Sequence, residues 1–395
     1  MTTRTTFLDF PCENPFILAS APPTANADMI RRAFDAGWAG AVVKTLIREP
    51  VLNIGNRFAS WRTNGKVAGF ENLELLSELP PEEWFRIIAD ITEEYPGKLL
   101  IASIMGDAHD AVDWLYLARG SQDAGADMLE LNFSCPHGYP ERGKGSAIGQ
   151  SAEYSAAITR WLAESPDVSL PIIPKLTAAV GDIRFIGESI AGAGADGLVA
   201  VNTLPSLFGI DLKTLRPKPD VHGRTAYGGY SGPGIKPIAL RAVATLCRSP
   251  GLPLMASGGI SSGFDAAEFM LLGAHAVQVC TAVMLNGYDI VSGMIDDLSE
   301  FMAWHEFESP RDFIGTCNDM VVSYGDLERD PDYQPAVDKD LCVRCGACIT
   351  ACRDGGYGAI DWDNSEPRWN MDRCVGCSLC SHVCPTHAIA MVEAV

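Results

Sequence analysis

The chain has no apolar stretch of about 18 residues, so no segment reads as a membrane-spanning helix. Its start, Met1 to Phe10, carries a single arginine and no long apolar run, so it does not read as a signal peptide. Basic residues are in the minority: 30 Lys and Arg against 50 Asp and Glu leave a formal charge of −20. Nucleic acid is therefore not an expected partner, because phosphate contacts need cationic surface. A dinucleotide fingerprint is lacking too. Gly192-Ala-Gly-Ala-Asp-Gly197 matches G-x-G-x-x-G by letter, but it closes a helix and opens a strand. A pyrophosphate site needs the reverse order. The expectation is a cytoplasmic protein that binds neither membrane nor nucleic acid and does not itself take NAD(P)H.

Cysteine, in contrast, is plentiful at one end. Of 13 cysteines, eight fall in two runs of one spacing, C-x2-C-x2-C-x3-C. The first is Cys342, Cys345, Cys348 and Cys352; the second is Cys374, Cys377, Cys380 and Cys384, followed by Pro385. This is the spacing of a two-cluster ferredoxin, in which the fourth cysteine of each run serves the other cluster. The expected ligand sets are Cys342, Cys345, Cys348 and Cys384 for one 4Fe–4S cluster, and Cys374, Cys377, Cys380 and Cys352 for the other. Zinc sites favour two pairs with a longer gap. Disulfide frameworks belong to small secreted domains. Such clusters move single electrons, so the chemistry is redox chemistry.

Ahead of the cysteine runs, helices ending in Gly-Ala or Ala-Gly lead repeatedly into short apolar strands. Asp123-Ala-Gly-Ala before Met128-Leu-Glu-Leu-Asn is one instance, and Leu272-Gly-Ala-His before Ala276-Val-Gln-Val-Cys is another. Glycine caps a helix end without strain, and buried parallel strands read as continuous apolar runs. Strands are expected at 16–19, 41–45, 99–104, 128–132, 172–176, 198–202, 254–257 and 276–280. Polar residues stand at their C-terminal ends: Ser20, Lys44, Ser103, Asn132, Lys175, Asn202, Ser257 and Thr281. A (β/α)8 TIM barrel gathers such ends at one mouth, whereas an open sheet scatters them. The expected order is a barrel over 1–305, a proline-broken connector over 306–336 and a ferredoxin-like domain over 337–395.

Gly258-Gly259 follows the seventh strand and Cys280-Thr281 ends the eighth, where barrels often bind a phosphate. Gly228, Gly229, Gly232 and Gly234, ahead of a helix, add backbone that a phosphate can approach. With iron–sulfur clusters attached, the fitting phosphate-bearing group is a flavin, which takes electrons singly and passes them in pairs. Lys44 and Lys175 end buried-looking strands, and a buried ammonium needs an anion. Asn132-Phe-Ser-Cys135-Pro-His-Gly138 leaves a strand end and enters a glycine-rich polar loop that could cover a pocket. Cys135 is the candidate proton donor there, since a thiol pKa of about 8.5 suits neutral pH.

The run Glu130-Leu-Asn-Phe-Ser-Cys-Pro-His-Gly resembles the active-cysteine loop of the dihydropyrimidine dehydrogenase family. Lys175-Leu-Thr, Ala200-Val-Asn-Thr and Arg224-Thr-Ala-Tyr-Gly-Gly-Tyr-Ser-Gly are similar to it as well. The resemblance extends through both cysteine runs and suits the barrel-and-cluster subunit of the bacterial two-subunit enzymes. It implies FMN contacts at Ser20, Lys44, Thr45, Lys175, Gly232, Ser257, Gly258, Gly259, Cys280 and Thr281. It implies pyrimidine contacts at Asn72, Asn132, Ser134, Asn202 and Thr203, with Cys135 as general acid and Glu74 beside the ring. The implied reaction reduces the 5,6 double bond of uracil or thymine. Electrons would come from NAD(P)H through FAD on a partner subunit, in a heterotetramer. Thr177-Ala178-Ala179 and the segment 47–67 depart from the family pattern. Alternatives are a dihydroorotate dehydrogenase-like reductase and an electron-transfer module with a non-catalytic barrel.

Overall fold

A computed structural model describes residues 1–134, 145–328, 333–363 and 366–393. The chain forms two compact units, Met1–Val321 and Val322–Val395. In the first, eight parallel strands among the described residues close into a barrel in chain order. They are β1 Phe16–Leu18, β2 Gly40–Val42, β3 Leu99–Ile104, β4 Met128–Asn132, β5 Ile172–Leu176, β6 Leu198–Ala200, β7 Leu254–Ser257 and β8 Ala276–Val279. The first strand closes on the last, with Phe16 opposite Val277 and Leu18 opposite Val279. All eight are buried along their length, as continuous apolar runs require in a parallel sheet. Lys44 lies two residues past β2, and Asn202 two past β6, so both leave the ladder before the mouth.

Helices follow the strands, and their starts are written locally. Asn26, Asp110, Ser151, Asp182 and Ser262 each accept a backbone N–H at a helix N-terminus. Gly37 closes the first helix in the left-handed conformation, at φ 108°.

The interior is layered. A hairpin of Thr5–Phe7 and Phe10–Cys12 caps the end where the strands begin. Phe7, fully buried, packs there with Ile17, Ile101, Met128, Ile173, Val199 and Met255. Nearer the mouth, the buried inward residues turn polar: Glu130 on β4, Lys175 on β5 and Gln278 on β8. A four-stranded antiparallel sheet contributes the outer wall of the mouth, ordered Leu204–Ser206, Gly228–Ser231, Lys66–Asn72, Phe58–Thr63. Neither this sheet nor the N-terminal hairpin was expected from the strand pattern.

Residues 306–321, read above as connector, pack on the barrel instead. Phe313 is fully buried in its core, and the Gly315 and Cys317 N–H groups donate to the Met270 and Leu271 carbonyls. In the second unit, strand Tyr333–Val337 pairs antiparallel with Ile389–Glu393, so this unit begins before residue 337. A hairpin of Ile360–Asp363 and Glu366–Trp369 and helices Ala347–Gly355 and Leu379–His382 complete it. The two cysteine loops share one backbone path. Arg344 and Gly346 in the first, and Gly376 and Ser378 in the second, all take positive φ, between 54° and 76°.

The plug is testable. Phe7→Ala empties a sealed apolar layer and is expected to lower barrel stability by about 3–5 kcal/mol. Urea unfolding followed by barrel tryptophan fluorescence measures it.

Candidate active site

A cavity of about 590 Å³ opens at the C-terminal end of the barrel strands. Ser20, Lys44, Thr45, Lys175 and Ser257 reach it from strand ends. Gly232, Gly258, Gly259, Cys280 and Thr281 line one side, while Asn72, Asn132, Asn202 and Thr203 also face it. Ser134 is different: it is fully buried, and its Oγ accepts from Asn202 Nδ2 at 2.9 Å. Ser134 is therefore placed behind the wall, supporting an amide that lines it. Cys135 and the loop through residue 144 lie outside the described residues.

Both buried lysines meet carboxylates. Lys175 Nζ donates to Gln278 Oε1 at 2.6 Å and stands 3.5 Å from Glu130 Oε1. Gln278 Nε2 closes the triangle by donating to Glu130 Oε2 at 2.7 Å. Lys44 Nζ donates to Glu74 Oε1 at 3.0 Å, and Glu74 is paired in turn with Arg57. Glu130, Gln278 and Arg57 were missed by the sequence reading. The signal for the first two was present. Glu130 shares the period-2 inward face of β4 with Asn132, and Gln278 is the one polar residue of β8.

Hydrogen bonds fix the mouth's other side chains. Thr45 Oγ1 lies 3.0 Å from Ser20 Oγ and 2.8 Å from Ser103 Oγ, and accepts from Asn132 Nδ2 at 3.0 Å. Asn72 Nδ2 donates to the Gly229 carbonyl at 3.1 Å, and Asn72 Oδ1 accepts the Glu74 N–H at 3.2 Å. Asn202 Oδ1 accepts the Thr203 N–H at 2.7 Å. Each amide is thus held in one orientation, with donor or acceptor capacity left for a ligand. Burial pushes the Cys280 thiol up to about 11, so it stays neutral at ordinary pH.

The glycine side suits a phosphate. Gly258 and Gly259 take φ of 123° and 82°, and a Cβ on Gly259 would stand 2.7 Å from Lys236 Cβ. Only glycine lets this turn lie so close to the start of helix Lys236–Arg248. Thr281 Oγ1 donates to Ser231 Oγ at 2.9 Å, tying the β8 end to the outer sheet. Narrow backbone approach on one side and two paired ammonium groups on the other fit a phosphate-bearing, electron-accepting ring system.

In the second unit the cysteines form two hollows. Cys342, Cys345, Cys348 and Cys384 line one; Cys352, Cys374, Cys377 and Cys380 line the other. Each draws three sulfurs from one run and one from the other. The Ala359 N–H meets Cys352 Sγ at 3.3 Å, and the Ala388 N–H meets Cys384 Sγ at 3.3 Å. Burial works to raise the Cys384 thiol, yet N–H groups of Thr386, Ala388 and Ile389 and the Thr386 hydroxyl bring it below its ordinary value. Such donors favour the thiolate that iron requires.

Comparison with known proteins agrees with both units. Residues 79–302 match the dihydroorotate dehydrogenase family model, and residues 335–391 match a 4Fe–4S dicluster domain. The chain is 39% identical over 398 residues to the NAD-dependent dihydropyrimidine dehydrogenase subunit PreA of Escherichia coli, covering 98% of this chain and 95% of that one. It is 38% identical to the chloroplastic dihydropyrimidine dehydrogenase (NADP(+)) of Arabidopsis thaliana, over 80% and 76% of the two chains. The chain belongs to the dihydropyrimidine dehydrogenase family. It is an oxidoreductase with flavin and iron–sulfur cofactors. A further relative is the catalytic subunit of dihydroorotate dehydrogenase B (NAD(+)) of Pyrococcus horikoshii, 35% identical over 77% of this chain and 93% of that one. Among the described residues, no helix is long and apolar enough to cross a membrane.

The Glu130–Lys175 pair can be tested without catalysis. Glu130→Gln or Lys175→Met alone is expected to cost about 3–5 kcal/mol in flavin-free protein, because each strands a buried charge. The paired change to methionine at both positions should lie much nearer the parent. Urea midpoints of the three variants decide it.

Proposed function

We propose that this chain reduces the 5,6 double bond of uracil or thymine, as the active subunit of a heterotetramer with an FAD-bearing, NAD(P)H-oxidising partner. The observation that carries this is the joining, in one cavity, of oriented asparagine amides to a phosphate-fitting glycine turn. A pyrimidine ring presents carbonyls and N–H groups in one plane, and amides answer both. Asn72, Asn132, Asn202 and Thr203 are assigned to bind and orient the ring, with Ser134 holding Asn202 from behind. Ser20, Thr45, Ser257 and Thr281 would hold FMN by hydroxyl contacts, and Gly232, Gly258 and Gly259 by backbone. Lys44 and Lys175 would place positive charge at its anionic groups, and Cys280 would pack against it. When bound, FMN supplies two-electron hydride chemistry from electrons received singly.

Cys135 is assigned the proton delivered to the ring's C5. In the second unit, Cys342, Cys345, Cys348 and Cys384 would hold one 4Fe–4S cluster, and Cys352, Cys374, Cys377 and Cys380 the other. In the reductive direction the enzyme would serve pyrimidine catabolism, in the cytoplasm.

The match to the dihydroorotate dehydrogenase model favours a second reading, oxidation of dihydroorotate in the same cavity. The Pyrococcus relative covers 77% of this chain, and the Escherichia coli relative 98%, through the cysteine-rich unit. That weighs toward the pyrimidine reductase. A panel of uracil, thymine and dihydroorotate against the anaerobically purified protein separates the two.

Cys135→Ala should keep flavin and still bind uracil, while turnover with an artificial reductant falls by about 10²–10⁴-fold, the usual worth of a positioned acid. Flavin content, uracil binding and steady-state rates check it; parent-like turnover would remove Cys135 from the mechanism. The chain alone should oxidise NADH and NADPH only at background rates, because it offers no strand-to-helix nucleotide site. Absorbance at the nicotinamide band, with and without the partner, measures that.

A further inference from the structure

The glycine turn that suits a phosphate is braced from behind by an ion pair outside the cavity. The turn runs from Ser257, at the end of β7, to Ser261, and its residues line the cavity. Lys236 and Asp265 are not among the lining residues. Gly259 lies against the Lys236 backbone: a Cβ on it would stand 2.8 Å from the Lys236 N and 3.0 Å from its Cα. The position of Lys236 therefore decides where the turn can sit.

Lys236 is the first residue of helix Lys236–Arg248. A cation is unfavourable at that end of a helix, where the macrodipole is already positive. Carboxylates of the next helix, Gly263–Leu271, take up the charge. Lys236 Nζ donates to Asp265 Oδ1 at 2.5 Å and to Glu268 Oε1 at 2.7 Å. Asp265 spends its other oxygen on the turn itself: Oδ2 accepts the Ser261 N–H and the Ser261 hydroxyl, both at 2.8 Å. Contacts thus run in a closed ring, from Gly259 to Lys236, to Asp265, to Ser261 and back along the turn. The Lys236 and Asp265 side chains are only 20% and 15% exposed. Burial disfavours both charges, yet the two carboxylates raise the Lys236 pKa, and Lys236 with Ser261 brings the Asp265 carboxyl below its ordinary value, so the pair stays ionised.

We infer that Lys236 and Asp265 are positioning residues that hold the 257–261 turn in its phosphate-accepting shape, and so set the chain's preference for a flavin with a phosphate over one without. This rests on the assignment of that turn to the FMN phosphate. Backbone N–H groups bind an anion only when they converge on it. Gly258 and Gly259, at φ of 123° and 82°, give the free turn many other shapes, and the clasp removes them before the ligand arrives. Asparagine at position 265 could serve Lys236 or Ser261 but not both in this geometry, because only one of its two terminal atoms accepts.

The test uses the whole chain with its iron retained, stripped of flavin and titrated with FMN and with riboflavin, which has no phosphate. Parent, Lys236→Met, Asp265→Asn and Lys236→Arg are compared by flavin fluorescence. In Lys236→Met and Asp265→Asn the FMN Kd is expected to rise by about tenfold or more, the fold-change that a lost charge-assisted hydrogen bond gives. The riboflavin Kd should stay at the parent value, and Lys236→Arg should recover part of the FMN affinity. Unchanged FMN binding overturns the inference. Equal weakening of both flavins, or loss of the barrel fold, overturns it too, since the pair would then be a general brace. Amide hydrogen exchange on the unaltered chain needs no variant: the Ser261 N–H should be protected before flavin is added, and free exchange there also overturns the inference. A parent that binds riboflavin as tightly as FMN would instead count against the assignment of the turn to the phosphate.

Discussion

A buried ammonium must be met by an anion, and the barrel is organised around that requirement. Removing an unpaired charge from water costs far more than one apolar contact returns. Lys175 is only 4% exposed, and Glu130 beside it is fully buried, so each is tolerable only through the other. Gln278 donates to Glu130 Oε2 and accepts from Lys175, bridging the two from a third strand, while Glu130 Oε1 keeps the ion pair with Lys175 at 3.5 Å. Glu130, Lys175 and Gln278 form a polar tier above an apolar floor and beneath the cavity. Lys44 and Glu74 repeat the arrangement at the rim. Positive charge is thus held facing the cavity by carboxylates, of which Glu74 also lines it.

Much of this was legible in the sequence because the relevant patterns are local. Strands β3, β4, β5 and β7 begin and end where their apolar runs do, and the helix starts are marked by Asn, Asp or Ser. The cysteine runs were legible because spacing fixes which sulfurs share one loop. The outer sheet was not. Phe58–Thr63 is mostly exposed, with no alternation to read, and its neighbour Lys66–Asn72 pairs with Gly228–Ser231 across a long separation in sequence. Asn72 was placed by resemblance, and the sheet explains how it arrives at the mouth. Residues 306–336 were read as connector on Pro310, Pro331 and Pro335, yet Phe313, with Phe307 and Ile314 packed on the same core, anchors 306–321 to the barrel.

The division of labour between the two units follows from what each can hold. Backbone turns with positive φ and closely spaced thiols suit clusters, which carry one electron at a time. A glycine turn beside a helix start, with paired cations opposite, suits a flavin, which converts single electrons to pairs. A carbon–carbon double bond needs the pair and a proton together. The same chain therefore carries both cofactor classes.

The most direct measurement is anaerobic. The whole protein is reduced with dithionite, excess reductant is removed, and uracil is added in a stopped-flow instrument that follows flavin absorbance. The account predicts recovery of the flavin band and formation of dihydrouracil in proportion to the electrons stored. A protein that carries flavin and iron but stays bleached with both uracil and thymine, forming no dihydropyrimidine, would contradict it.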